Sequence, residues 1–194
     1  SAYARNMKEI NVDEVAEKAA DKSVRSVRPT RLDPGEYEAI LAPDAVALSL
    51  SYLSNGFLAT WFQDGTSFVK YNLGKQVFHE KFNLKDDGRD LATLYVSPVD
   101  GEGVPRQALT LVKDGIVDEK GICYDSYTAG KEGKKSTGHA VVPFVEAFAS
   151  GPDLINMVMP PGDASEEEMI KETRRGVYVS RFHYVRTVNQ PRMI

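Results

Sequence analysis

Hydrophobic and polar positions change their period several times along the chain. In NVDEVAEKAADKSVRSV, Val12, Val15, Ala16, Ala19 and Ser23 recur at helical spacing and predict an amphipathic helix. Asn11 stands at its N-cap with Glu14 three residues on, as in a capping box, and Arg28-Pro29 ends it. RPTRLDPG, punctuated by Pro29, Pro34 and Gly35, reads as a linker. EYEAIL predicts a strand. Pro43 then opens a second helix with Val46, Leu50 and Leu53 on one face, closed by Asn55-Gly56. Residues 57–71 predict short strands around Asp64-Gly65, and LTLVKDGIVDEKGICY predicts a hairpin turning at Lys113-Asp114-Gly115. TAGKEGKKSTGH (128–139) reads as a flexible basic loop and LINMVM as a buried strand. In PPGDASEEEMIKETRRG, Ser165 and Glu168 form a capping box, Arg174 and Arg175 occupy the last turn, and Gly176 stands at the C-cap. VYVSRFHYVRTV predicts one long final strand, with Val177, Val179, Arg181, His183 and Val185 on one face and Tyr178, Ser180, Phe182, Tyr184 and Arg186 on the other. Many short strands and few helices indicate an α+β class: a β-rich pseudo-barrel or curled antiparallel sheet.

Composition narrows the functional classes. The chain has 194 residues, 42% hydrophobic and 27% charged, the profile of an ordinary soluble domain. Its net charge of −4 argues against a broad nucleic-acid footprint, which is normally basic. No membrane-spanning apolar run and no signal peptide are visible, and the single Cys123 fits a reducing compartment, so a cytoplasmic location is expected.

Candidate chemistry is sparse. VFHEKF holds His79-Glu80, half of a zinc-protease helix, but no second histidine follows, and the stretch alternates as a solvent-facing strand would. GKEGKKST has the wrong glycine spacing for a phosphate loop, and Pro143 follows where a helix is needed. His79, His139, His183 and Cys123 are too scattered to argue for or against a metal site. Asp100 and Glu102 in VDGEGVP suit either acid/base work and the grip of a peptide amine, or a tight turn. Asp125, Ser126 and Tyr127 lack the elbow of a serine nucleophile and read as a strand end entering a loop. Arg181, if buried, must find a carboxylate or a carbonyl, as an ion pair or a binding residue. Asp100, Glu102, Asp125, Arg181, His183 and Tyr184 are therefore the candidates for substrate or partner binding, with no catalytic or metal-binding residue assigned.

The order of these pieces resembles the central and C-terminal part of the TldD/PmbA family, also described as modulators of DNA gyrase. The matching pieces are Gly65-Thr66-Ser67, Leu73-Gly74-Lys75-Gln76-Val77, Asp100-Gly101-Glu102-Gly103-Val104-Pro105, and the Asp114-Gly115 hairpin. They continue with Asp125-Ser126-Tyr127-Thr128-Ala129, Pro161-Gly162-Asp163-Ala164-Ser165, and Gly176-Val177-Tyr178-Val179 before Arg181-Phe182. The resemblance implies an N-terminal α/β part followed by a β-rich pseudo-barrel. It also implies a heterodimer of two branches with proteolytic activity in peptide maturation and degradation. The TldD branch carries H-E-x-x-x-H and a C-terminal cysteine as zinc ligands, and the PmbA/TldE branch lacks them. Counted back without gaps, the motif positions fall near Leu50, Ser51 and Asn55, which cannot bind zinc as the motif does, and Cys123 lies too early to be the C-terminal ligand.

The resulting expectation is a truncated PmbA/TldE-like chain: residues 1–32 a linker helix from a missing N-terminal domain, residues 33–194 the β-rich C-terminal domain. It would hold no cofactor itself, with zinc in a catalytic partner. Its partners would be a TldD-like catalytic subunit or a second copy, and a peptide substrate, with no membrane and no direct nucleic-acid contact. Two other classes compete: a divergent zinc metallopeptidase active on its own through His79, His139, His183 or Cys123, and a DNA gyrase-modulating interaction module.

Overall fold

The computed structural model describes residues 2–141 and 151–192; Pro143, expected to exclude a helix after the lysine loop, lies outside them. The described chain divides into two units, residues 1–37 and 38–194. In the first, helix α1 (Val12–Arg25) begins at the predicted N-cap, the Asn11 side chain accepting the Glu14 N–H at 3.2 Å, but the Glu14 carboxylate pairs with Lys18 at 2.6 Å instead of closing the capping box. Arg28, at a φ of +64°, follows its end.

In the second unit, strand β1 (Glu38–Leu41) runs into helix α2 (Pro43–Ser54), with Pro43 at the first helical turn, where its missing N–H costs nothing. Instead of short strands, residues 57–71 form helix α3 (Ala59–Gln63) and a 3-10 turn, Val69–Tyr71. Short apolar runs do not separate helix from strand by periodicity. Here the carbonyl of Trp61 takes the N–H of both Thr66 and Ser67, which wraps the chain around the helix end. Buried Ser67 then bonds the Gly56 carbonyl and receives the Val69 N–H. The VFHEKF stretch is likewise a turn, not a strand. Phe82 N–H reaches the His79 carbonyl at 2.8 Å, and the Phe78 and Phe82 rings stack with centroids 4.6 Å apart.

A four-stranded antiparallel sheet follows, in the order β4-β3-β2-β5, from β2 (Leu84–Asp86), β3 (Leu109–Lys113), β4 (Ile116–Val117) and β5 (Met157–Val158). The predicted hairpin is β3–β4: Asp114 (φ +50°) and Gly115 (φ +76°) supply the two positive φ values of a type I′ turn. The expected LINMVM strand shrinks to the two residues of β5. The basic loop opens with helix α4 (Ser126–Lys131), whose Thr128 and Ala129 are buried. Helix α5 (Glu166–Glu172) carries the predicted Ser165–Glu168 capping box, with both reciprocal bonds present.

Gly176 is not the C-cap of α5. Thr173 takes that place, and Gly176 opens strand β6 (Gly176–Val179), which pairs in parallel with β1. A Cβ at Gly176 would lie 2.8 Å from the Glu38 carbonyl oxygen, so close strand approach accounts for the glycine. The twelve-residue final strand is also corrected. β6 ends at Val179, whose carbonyl receives the Ala42 N–H, and there β1 gives way to Pro43 and α2. With no partner strand left, the chain turns irregular, and Tyr184 reaches a φ of +58°.

The core gathers Phe57, Phe68, Leu84, Leu111, Val112, Val117, Ile122 and Cys123, with Leu50 and Leu53 of α2 packed on it. The class is thus mixed α and β, and among the described residues the two sheets do not close into a barrel.

Candidate functional site

Three of the predicted residues converge. Asp100 starts a loop pinned by a bridge between Val99 and Pro105. Its Oδ1 accepts the N–H of Glu102 (2.9 Å) and Val104 (2.8 Å), the turn closing through Gly103 at φ +79°. Its Oδ2 accepts the Ala140 N–H at 2.9 Å, which ties the loop to the segment after α4. The carboxylate is buried and wholly used in holding backbone donors. Glu102 is exposed and bonds the Ser126 N–H at 3.0 Å, one of the free donors at the start of α4. Asp125 caps the same helix, its Oδ1 accepting Thr128 N–H at 2.7 Å and the Thr128 hydroxyl.

Arg181, His183 and Tyr184 lie elsewhere, in the irregular segment after β6. All three are exposed, Tyr184 to 92%, so Arg181 needs no buried counter-charge. The His183 and Tyr184 rings lie 5.6 Å apart. Among the described residues no hydrogen bond joins this trio to the acidic one.

Sequence reasoning missed a buried polar group beneath the acidic loop. His139 and Asp86 are both fully buried, with Nε2 and Oδ2 3.2 Å apart. His139 Nδ1 faces the Thr137 carbonyl at 2.9 Å, and Asp86 Oδ1 accepts the Asn156 N–H at 2.7 Å. The Asn156 amide continues to the Asp87 carbonyl and the Thr93 hydroxyl. These partners are up to 70 residues apart in the chain, and no local motif announces them. Close by, burial pushes the Cys123 thiol well above its usual range, and the charges of Asp86 and Asp153 add to that. Tyr124 is raised by burial, against the donation of Lys134 to its hydroxyl.

Among the described residues the histidine and cysteine donors are not arranged to hold zinc. The His139 nitrogens are engaged, Cys123 is buried and held in its thiol form, and His79 accepts the Lys81 N–H from an exposed turn. Among the described residues no three His, Cys, Asp or Glu side chains group as a metal site would need. In α2, Leu50 packs on the core and Ser51 donates to the Leu48 carbonyl at 2.7 Å. No described helix is long and apolar enough to cross a membrane.

Residues 34–192 match the model of the PmbA/TldA metallopeptidase C-terminal domain. An uncharacterised protein of Methanocaldococcus jannaschii is 35% identical over 131 residues, which cover 67% of this chain and 31% of that protein. A protein of Haemophilus influenzae named metalloprotease PmbA homolog is 31% identical over 126 residues, 65% of this chain and 28% of that one. The chain thus spans about a third, or less, of the length of these relatives. Among solved structures, TldE from Thermococcus kodakarensis superposes with a TM-score of 0.80 at 25% identity, covering 91% of this chain and 40% of that one. A Thermotoga maritima protein described as a modulator of a DNA gyrase gives 0.81 at 26%, covering 92% and 40%. The chain belongs to the PmbA/TldD metallopeptidase family, through that family's C-terminal domain.

Proposed function

We propose that the chain is the C-terminal part of a PmbA/TldE-like subunit that does not cleave peptides itself. It pairs with a TldD-like catalytic subunit, or with a second copy, and helps to hold the peptide that a zinc-bearing partner cuts in peptide maturation or turnover. The observation that carries this reading is α2. Counted back without gaps, the H-E-x-x-x-H positions of the TldD branch fall near Leu50 and Ser51 of this helix and Asn55 just past its end, and Leu50 is packed on the core. A leucine offers no lone pair, and a serine already bonded to its own helix makes a poor zinc ligand. The four-stranded sheet is read as one wall of the pseudo-barrel of the whole subunit. The negative net charge counts against direct DNA binding.

The test is reconstitution. The full-length protein, alone and mixed with a TldD-type relative that carries the motif, is assayed for zinc content and peptide cleavage. The expected result is no zinc and no cleavage alone, with chelator-sensitive cleavage in the mixture. Cleavage by the purified protein alone, abolished by chelator, would overturn the reading.

A further inference from the structure

Among the described residues Arg106 is the largest fully buried side chain, only 1% exposed. Among the described residues its Nε and Nη1 have no hydrogen-bond partner. An arginine cannot shed its proton to escape burial, so these two donors are held away from water with no acceptor. Among the described residues no carboxylate bonds either atom. Asp86 serves Asn156 and His139, Asp87 serves Arg89, and Asp100 serves three backbone N–H groups.

The surroundings are built to hold this side chain in place. Its own N–H is fixed to the Pro98 carbonyl at 2.9 Å. A Cβ on Gly88 would lie 2.6 Å from Arg106 Cδ, and one on Gly138 would lie 2.7 Å from its Cα. Gly88 therefore leaves room for the arginine side chain, and Gly138 for the backbone that carries it.

The geometry points to Arg106 as the receptor for a carboxylate, brought by the C-terminus of a peptide or by a small organic acid. A guanidinium matches a carboxylate in shape and in single charge. A phosphate dianion would bring a second negative charge for the same single guanidinium to meet. Both unpaired atoms are shut off from water, so the anion must enter between the segments of Gly88, Ser97 and Gly138.

This inference rests on the peptide-holding role proposed above, and its test separates the two. The 194-residue chain is titrated calorimetrically with an alanine tetrapeptide ending in a free carboxylate, with the same peptide as its amide, and with sodium acetate. The expected result is binding of the free acid about tenfold tighter than the amide, with the preference lost in Arg106→Met. An acetate-dependent rise in the melting temperature of the wild type but not of Arg106→Met, without preference for the free-acid peptide, supports the small-acid source. Equal binding of both peptides with no acetate effect overturns the receptor and leaves the peptide-holding role standing. Failure of both peptides to bind while acetate still acts counts against the peptide-holding role alone. In anion-free buffer Arg106→Met is expected to melt at or above the wild-type temperature, because buried donors without acceptors have been removed. A lower melting temperature, or a failure to fold, means that the protein already satisfies these donors and overturns the proposal.

Discussion

Asp125 caps α4 and is also proposed to help hold peptide, and substitution separates the two roles. Asp125→Ala removes the N-cap of α4 and is expected to cost about 1–2 kcal/mol by denaturant unfolding. Asp125→Asn keeps an acceptor of equal capping rank, so stability should stay within about 0.5 kcal/mol while the charge is lost. If the Asn variant keeps its stability and still binds peptide as the wild type does, Asp125 is a cap and nothing more. The neighbouring thiol gives a pH prediction. Burial raises Cys123 well above the ordinary value of 9.0, so ionisation favours the unfolded chain. The stability this contributes is whole below about pH 9 and is lost as pH rises towards and through the folded value. Tyr124, raised from 10.0, acts in the same direction. The melting temperature should therefore fall above pH 9, and a thiol reagent should modify Cys123 no faster than the protein unfolds. Rapid labelling of the native state would refute the burial argument. At this scale the Asp125 cap, in a stretch read as a strand end entering a loop, was missed, while the turn at Asp100 and Glu102 was legible because turn chemistry is local. His139, Asp86 and Arg106 were not, since each is defined by partners, or by the lack of them, far away in sequence.

At the scale of elements, local signals and borrowed ones behave differently. The Asn11 and Ser165 caps, the Pro43 helix start and the Asp114-Gly115 turn all act within four residues, and each forms where the pattern places it. The long final strand failed because strand length is set by the partner. β1 is four residues long, so β6 is too, and alternation beyond Val179 has nothing to pair with. VFHEKF failed for a related reason: an apolar pair at i and i+4 suits a ring stack across a turn as well as a strand face. The capping box of α5 allows a direct check. Glu168 is held below its ordinary value, first by the Ser165 backbone N–H and then by the Ser165 hydroxyl. That contribution is present above the ordinary Glu value of 4.5 and lost as pH falls through the lowered folded one. Amide exchange across residues 166–172 should accelerate in acid beyond the intrinsic pH effect. Ser165→Ala should speed it at neutral pH by an amount equivalent to about 1 kcal/mol. Exchange unchanged in that variant would show that the box does not hold the helix.

For the second unit as a whole, the buried polar group matters more than any single cap. Asp86 lies on β2, His139 on the segment after α4, and Asn156 just before β5, so one carboxylate links three stretches that no turn connects. Hydrophobic burial alone would tolerate sliding between these stretches, whereas an acceptor that must meet both a ring nitrogen and a backbone N–H selects one register. Breaking such a pair from one side leaves the other partner buried without its bond, a cost of about 3–5 kcal/mol. Asp86→Ala is thus expected to bring the unit close to unfolding, because domains of this size hold only about 5–15 kcal/mol in total. His139→Ala should cost less, since Asp86 keeps the Asn156 N–H at 2.7 Å. The informative variant is the double one. If the two side chains act as a pair, Asp86→Ala with His139→Ala will be more stable than the sum of the single losses predicts, by about 1–3 kcal/mol in denaturant unfolding. Strict additivity would mean that the 3.2 Å approach carries no coupling and that Asp86 is retained for the Asn156 backbone alone.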